Sequence, residues 1–381
     1  MKMTMTRTIH PVGQGAFYTE CLEDDGRNYN IVYDCGSDTA SSARNSLIEK
    51  VIKQTFEKGE IINAIFISHF HRDHINGITT LLKHCIVKYV FLPVIDNISK
   101  LLLISSDDNT EYKDFILSPS DYIKNISDIT SVIFVDEEKP DSNSDSFFDL
   151  SQEQPKEVDY ITSGTKIKIN RNQINWEYIP FNFKNDKLIL DIENAYSKIG
   201  RAVPDASRID DAELVIAKGV FDIVLKSGTK RNAHSMILYS GAYNPCDWML
   251  SALFNNFCWR FCCHHSCFFH DDATGCLYFG DFDLNIKDAI SEISKKYDID
   301  RVKDNICIMQ VPHHGSIHNF NIDIFNFFPK INALFISAGE KNRYRHPSGK
   351  VVKDILRTGR FLRLVTENKS SMLQFIYEKI Y

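Results

Sequence analysis

Short apolar runs, each closed by glycine, proline, aspartate or histidine, punctuate this chain. Ala64-Ile65-Phe66-Ile67 carries no polar alternation and reads as a strand buried on both faces. Asn28 to Tyr33 is a second strand, ending in Asp34-Cys35-Gly36, and Val87 to Leu92 is a third, stopped by Pro93. The spacing between them predicts helices over Ala43 to Glu57 and 75–84. Ahead of these, Thr6 to Cys21 is broken by Gly13-Gln14-Gly15. No Lys-Ser/Thr or helix start follows, so a hairpin turn is expected there rather than a phosphate loop. The order suits one half of a layered α/β sandwich.

The rhythm returns in the second half. Strands are expected at Thr165 to Asn170, Asn175 to Asn182, Ser235 to Tyr239, Gly275 to Phe279, Ile306 to Val311, Ala333 to Ser337, Phe361 to Thr366 and Ser371 to Tyr377. Helices are expected at Leu284 to Lys295, Ile322 to Phe328 and 347–357, the last with Pro347 at its first position. Two stretches break the pattern and read as insertions, about 95–162 and 184–230. The first holds a polar tract from Asp136 to Glu157; the second has helix-like runs at Lys184 to Lys198 and Asp210 to Lys218. One domain spanning 1–381 accommodates both insertions.

The chemistry sits where the strand Ala64–Ile67 ends. Ser68-His69-Phe70-His71-Arg72-Asp73-His74-Ile75-Asn76-Gly77 presents three imidazoles and a carboxylate within six residues. His69 and His71 share a side of an extended chain. Imidazole and carboxylate are ligands of zinc, iron or manganese, and four in so short a window suit two metals. Asp34 is either a strand-end turn residue or an outer hydrogen-bond partner that fixes a ligand imidazole. His234 precedes a strand, Gly280-Asp281 follows one, and Pro312-His313-His314-Gly315-Ser316 follows another. Because adjacent residues of a strand face opposite ways, at most one of His313 and His314 is expected to be a ligand. Lys341, Arg343, Tyr344 and Arg345 form a basic loop beside His346. It is either a phosphate clamp or a solvated turn.

Composition narrows the classes. Among 381 residues, 43% are hydrophobic and 25% charged, the range of a globular protein. The net charge of -6 argues against broad binding to duplex nucleic acid; any such contact must come from a local patch. No apolar run is long enough for a membrane span, and Met1 to His10 lacks the apolar core of a signal peptide, so a cytoplasmic location is expected. The ten cysteines are then expected to be thiols or ligands. Cys258, Cys262, Cys263, His264, His265, Cys267 and His270 crowd the Cys/His-rich stretch 246–270, but match no paired zinc knuckle. An apolar loop packed over the site is the expectation there, with a separate zinc site as the alternative.

His-x-His-x-Asp-His after an apolar strand resembles the metallo-β-lactamase superfamily. The resemblance implies an αββα sandwich, with two mixed β-sheets flanked by helices. It implies two divalent ions, zinc first, with manganese or iron as substitutes, and a bridging hydroxide. His69, His71 and His234 would hold one ion. Asp73, His74 and a late histidine, His314 ahead of His313 or His346, would hold the other, with Asp281 spanning both. Asp73, His314 and His346 would be catalytic. His313, Arg343, Tyr344 and Arg345 would meet substrate. The segments 6–95 and 230–380 carry the likeness, the insertions do not. Val311 to Ser316 with Asn342 to Pro347 looks like the branch containing the hydrolase domain of ComEC-type DNA-uptake proteins and phosphorylcholine esterases. The expected activity is that of a phosphodiesterase or nuclease. The alternatives are a lactone, thioester or β-lactam hydrolase, and a metal-stabilised interaction module of a bacterial defence system whose insertions meet a protein partner.

Overall fold

The computed structural model describes residues 3–39, 46–137, 147–152, 159–171, 174–225, 234–255, 273–299 and 301–380. The run Cys258 to His270 lies outside them. Among the described residues two mixed sheets face each other. One holds nine strands in the spatial order Trp248–Asn255, Leu373–Lys379, Met3–Ile9, Phe17–Asp24, Arg27–Cys35, Ile61–Phe66, Ile86–Pro93, Ser131–Asp136, Tyr160–Thr162. The other holds eight: Phe361–Val365, Ala333–Ser337, Ile306–Gln310, Gly275–Tyr278, His234–Ala242, Ile174–Lys184, Lys166–Arg171, Phe147–Asp149.

Alternation along each strand splits the core into layers. In Ile61–Phe66, Ala64 and Phe66 point between the sheets, where they meet Phe91, Tyr178 and Met236. Ile65, and Ile67 just beyond the strand, point outward, under Ile48, Ile52, Ile78 and Leu81 of the helices Leu47–Thr55 and Ile78–His84. On the far side Leu277, Met309 and Leu334 pack under Ile293 of the helix Ala289–Lys296 and Ile355 of Gly349–Arg357. Helix, sheet, sheet and helix are therefore stacked as four layers, and a polar cluster is buried between the sheets. There the buried Arg7 Nε lies 2.7 Å from Glu20 Oε1, and Tyr278 and Ser240 donate hydroxyls to the same carboxylate.

The insertions are more ordered than their polarity suggests. The first contains three helices, Asn97–Ser106 and Thr110–Leu117, capped by the side chains of Asp96 and Asn109, and Pro119–Ile126, which opens on Pro119. The second contains Asp186–Lys198 and Asp211–Val224. Leu101, Leu102, Ile192, Val220 and Phe221 join both insertions to the outer helical layer. The helices of the second insertion fall on the expected runs, while the three of the first, at eight to ten residues, lack the length that makes periodicity legible. The helix expected over 75–84 is two pieces, Arg72–Ile75 and Ile78–His84, hinged at Asn76-Gly77. Pro347 lies ahead of its helix, which starts at Gly349 with Ser348 as N-cap.

Candidate metal centre

The strands Arg27–Cys35 and Ile61–Phe66 run parallel and deliver their ends to one edge of the sandwich. Beyond Phe66 the chain turns at Ser68. His71 caps the one-turn helix Arg72–Ile75, which carries Asp73 and His74. This helix lies against Gly36 so closely that a Cβ there would sit 2.5 Å from the His74 backbone nitrogen, so glycine is required. From the opposite sheet the strand Gly275–Tyr278 ends at Gly280-Asp281. Gln310 fixes that turn, its Oε1 accepting from the amides of Phe279 and Gly280.

Two groups of donor atoms result, each with all its atoms within 4.8 Å of one another: His69, His71 and Asp281, and Asp73, His74 and His314. Asp281 stands between them. Its Oδ2 is 3.7 Å from His69 Nε2, and its Oδ1 is 3.2 Å from His74 Nε2 and 3.7 Å from His314 Nε2. Asp73 Oδ2 is 3.2 Å from His314 Nε2.

The rings are held by their other nitrogens. His74 Nδ1 donates to Asp34 Oδ2 at 2.7 Å, and Ser68 closes the same carboxylate with its amide and hydroxyl, each at 2.7 Å. The Ser68 hydroxyl then accepts from His69 Nδ1 at 2.9 Å. His314 Nδ1 donates to the Ser337 carbonyl at 2.8 Å. Each tie leaves an Nε2 lone pair facing the centre, the arrangement a metal ligand needs.

The electrostatics fit cations. Burial holds His69 well below the ordinary imidazole range and lowers His71 to about 4, so both rings are neutral donors at pH 7. Against the cost of burial, the neighbouring imidazoles keep the Asp281 carboxyl well below its usual range, His313 first, then His74 and His314. His74 Nε2 and Asp281 Oδ1 are buried atoms with no hydrogen bond to each other or to any other group, though 3.2 Å apart. Buried polar atoms rarely stay unpaired, and two lone-pair donors at that distance suit a shared cation.

The remaining expected residues divide. His313 and His314 are not on a strand, which ends at Gln310. They sit in a turn with φ of +49° and +53°, and so both side chains reach Asp281, His313 Nε2 at 3.5 Å from Oδ2. The rule of opposite faces fails because the backbone is left-handed there. His234 begins its strand at the wall of the same cleft, outside both groups, with Nε2 3.3 Å from Asp96 Oδ2. His346 lines the cleft with its ring 5.7 Å from that of His313 and stacked on Tyr344. Arg343 lies over the other residue of that stack, its guanidinium 4.7 Å from the Tyr344 ring, and also faces the cleft; Arg345 does not. The cleft encloses about 1210 Å³, and Arg72, Asp107, Lys184 and Asp222 complete its rim. Asp96, Ser68 and Gln310 escaped the sequence reading because single polar residues at strand ends and turns carry no spacing signal.

Residues 22–97 match the family profile of the Metallo-beta-lactamase superfamily, the segment holding Asp34 and the His69–His74 loop. Over these residues the chain is similar to the metallo-beta-lactamase superfamily. The four-layer architecture accords with that fold, and members typically bind divalent metals. A search of curated proteins gave no match. Among solved structures, unliganded yeast PDE1 aligns over 98% of this chain and 100% of its own, with 9% identity and a TM-score of 0.41. No helix among the described residues is long and apolar enough to cross a membrane. The similarity over residues 22–97, with the two donor groups, supports a metal-dependent hydrolase as the general class.

Proposed function

We propose that the chain is a phosphodiesterase with a dinuclear metal site, of the branch that includes ComEC-type hydrolase domains. The observation that carries the reading is Asp281, whose two oxygens face different groups of nitrogen and oxygen donors. Zinc suits this donor set, with manganese or iron as substitutes. Two such ions supply Lewis-acid polarisation of a phosphoryl oxygen and acidify a water.

The chain's own residues do the rest. Asp34, Ser68 and the Ser337 carbonyl orient the imidazoles, so little reorganisation is needed as charge develops. Arg343 and Tyr344 stand at the cleft wall, where a guanidinium and a phenol can hold a non-bridging phosphate oxygen. Asp73 and His314 line the cleft, and His346 lies between the Tyr344 and His313 rings, where an imidazole can transfer a proton to a bound phosphodiester. A cleft of about 1210 Å³ admits more than a single nucleotide. The overall charge of -6 favours short or single-stranded phosphodiesters held locally over long duplex.

The test is hydrolysis of bis-p-nitrophenyl phosphate, a lactone and a thioester by zinc- or manganese-loaded protein, with Asp281→Ala as control. Phosphodiester turnover lost in the variant supports the reading. Turnover of the carbonyl substrates alone overturns it.

A further inference from the structure

Three lysine and arginine side chains line the cleft, Arg72, Lys184 and Arg343. Two of them are matched to carboxylates. Arg72 Nη1 lies 3.3 Å from Asp107 Oδ2, and Lys184 Nζ lies 3.8 Å from Asp96, 3.9 Å from Glu137 and 3.7 Å from Asp186. Arg343 is held loosely, 3.9 Å from Asp38 and three-quarters exposed. Asp38, Asp107 and Asp222 line the same cleft. Beyond the metal centre, then, the described walls repel a run of phosphates but accept one phosphate with Arg343 beside it. A cleft of about 1210 Å³ is far larger than that phosphate, so the rest of the ligand is an uncharged group.

An apolar corner is built to take such a group. Along the strand Ile174–Lys184, Ile179 and Phe181 are buried in the outer core with Ile293. Phe183, two residues on, is only partly covered: Lys296 Nζ lies over one face of its ring at 5.6 Å, and the ring also lines the cleft. Phe282 follows the carboxylate residue Asp281 directly, and its ring lies 5.2 Å from that of Phe183. Ile286 and Leu225, the latter at the C-terminus of the helix Asp211–Val224, line the cleft as well. The Tyr344 ring offers no such surface, because it is already stacked on His346 at 5.9 Å and on the Arg343 guanidinium at 4.7 Å.

Polar groups among the lining residues suit a heteroaromatic ring rather than a hydrocarbon. Asn185 Oδ1 accepts from the Leu188 amide at 3.2 Å, which leaves its NH2 for a ring carbonyl. The Asp222 carboxylate has no ion pair among the described residues and can accept from a ring N–H. The edges of nucleobases carry both kinds of group.

We infer that Phe183, with Phe282, Ile286 and Leu225, forms a nucleobase subsite beside the metal centre, and that the ester this cleft prefers joins a nucleoside through a single phosphate. This deepens the phosphodiesterase reading given above and rests on it.

Uridine 5′-monophosphate and ribose 5-phosphate carry the same phosphate and sugar, with and without a base. Titration calorimetry of both into the zinc-loaded full chain isolates the subsite. The nucleotide is expected to bind about tenfold tighter, the range of one base stacked on one ring. Phe183→Ala is expected to bring the two affinities together, and Phe183→Tyr, which keeps the ring, to restore the difference. Should Phe183→Ala fail to fold, Phe183→Leu keeps the apolar bulk without the ring and is expected to behave as the alanine variant. Equal affinities in wild type, or a difference that survives loss of the ring, overturn the subsite. Affinity that climbs more than about a hundredfold from uridylyl-uridine to decauridylate overturns the single-phosphate preference. Hydrolysis of bis-p-nitrophenyl phosphate is followed in parallel. Its absence in wild type overturns the phosphodiesterase reading, while the subsite stands or falls by the titrations, so the two failures are told apart.

Discussion

Asp34 and His74, forty residues apart in sequence, meet at 2.7 Å in a fully buried contact between the end of one strand and the one-turn helix that follows its parallel neighbour. The contact sets which nitrogen of His74 is free. Asp34→Asn places an amide against Nδ1 and favours the opposite tautomer. The expected result is a ~10–100-fold loss of affinity for one of two ions, read by chelator competition. Wild-type affinity would show that Asp34 only braces the strand end.

Arg343 is three-quarters exposed at the cleft wall, and its nearest carboxylate, Asp38, is 3.9 Å away. Its guanidinium is therefore available to an anion. Arg343→Ala is expected to raise KM for a phosphodiester about tenfold with a smaller change in kcat, while Arg345→Ala leaves both unchanged. Steady-state kinetics at two salt concentrations checks this, since the contribution of an exposed charge falls with screening.

Arg7 and Glu20 form a buried ion pair between the sheets. Removing one partner strands the other. Arg7→Met is expected to destabilise the fold by about 3–5 kcal/mol, and Arg7→Met with Glu20→Leu by much less. Urea unfolding of wild type, Arg7→Met, Glu20→Leu and the double variant gives the coupling directly.

His10 lies away from the metal centre, stacked on Phe17 at 4.6 Å with Nε2 2.8 Å from the Thr19 hydroxyl. Burial lowers it from 6.5 to about 3. The unfolded chain binds a proton at this ring from pH 6.5 downward and the folded chain does not. Its contribution to stability is therefore full above pH 6.5 and is lost as pH falls toward 3, at up to ~1.4 kcal/mol per unit. His10→Gln is expected to flatten the stability profile of ion-stripped protein between pH 6.5 and pH 4. Parallel profiles for the two chains would refute it.

Much of the centre was legible in the sequence. Apolar runs ending in His69-Phe70-His71-Arg72-Asp73-His74, in Asp34 and in Gly280-Asp281 marked strand ends, because only a strand buried on both faces lacks polar alternation. Chemistry placed at such ends is brought to one edge by parallel pairing, whatever the loops do. The insertions were legible as interruptions and the two helices of the second were legible as well, but the three of the first are of eight to ten residues and were not.

The tertiary structure alone decided how the late histidines are shared. Strand logic allowed one of His313 and His314 to face the centre. Two left-handed residues bring both, because the Gly280 carbonyl and the Ser316 amide hold the turn. Nothing local to His234 foretells Asp96, 138 positions earlier, or the Lys184 beside it. Residue type and short spacing are local properties and determine which groups can bind a metal. Which imidazole is free to do so depends on hydrogen bonds between segments far apart in the chain, and these exist only once the two sheets and the insertion helix have packed.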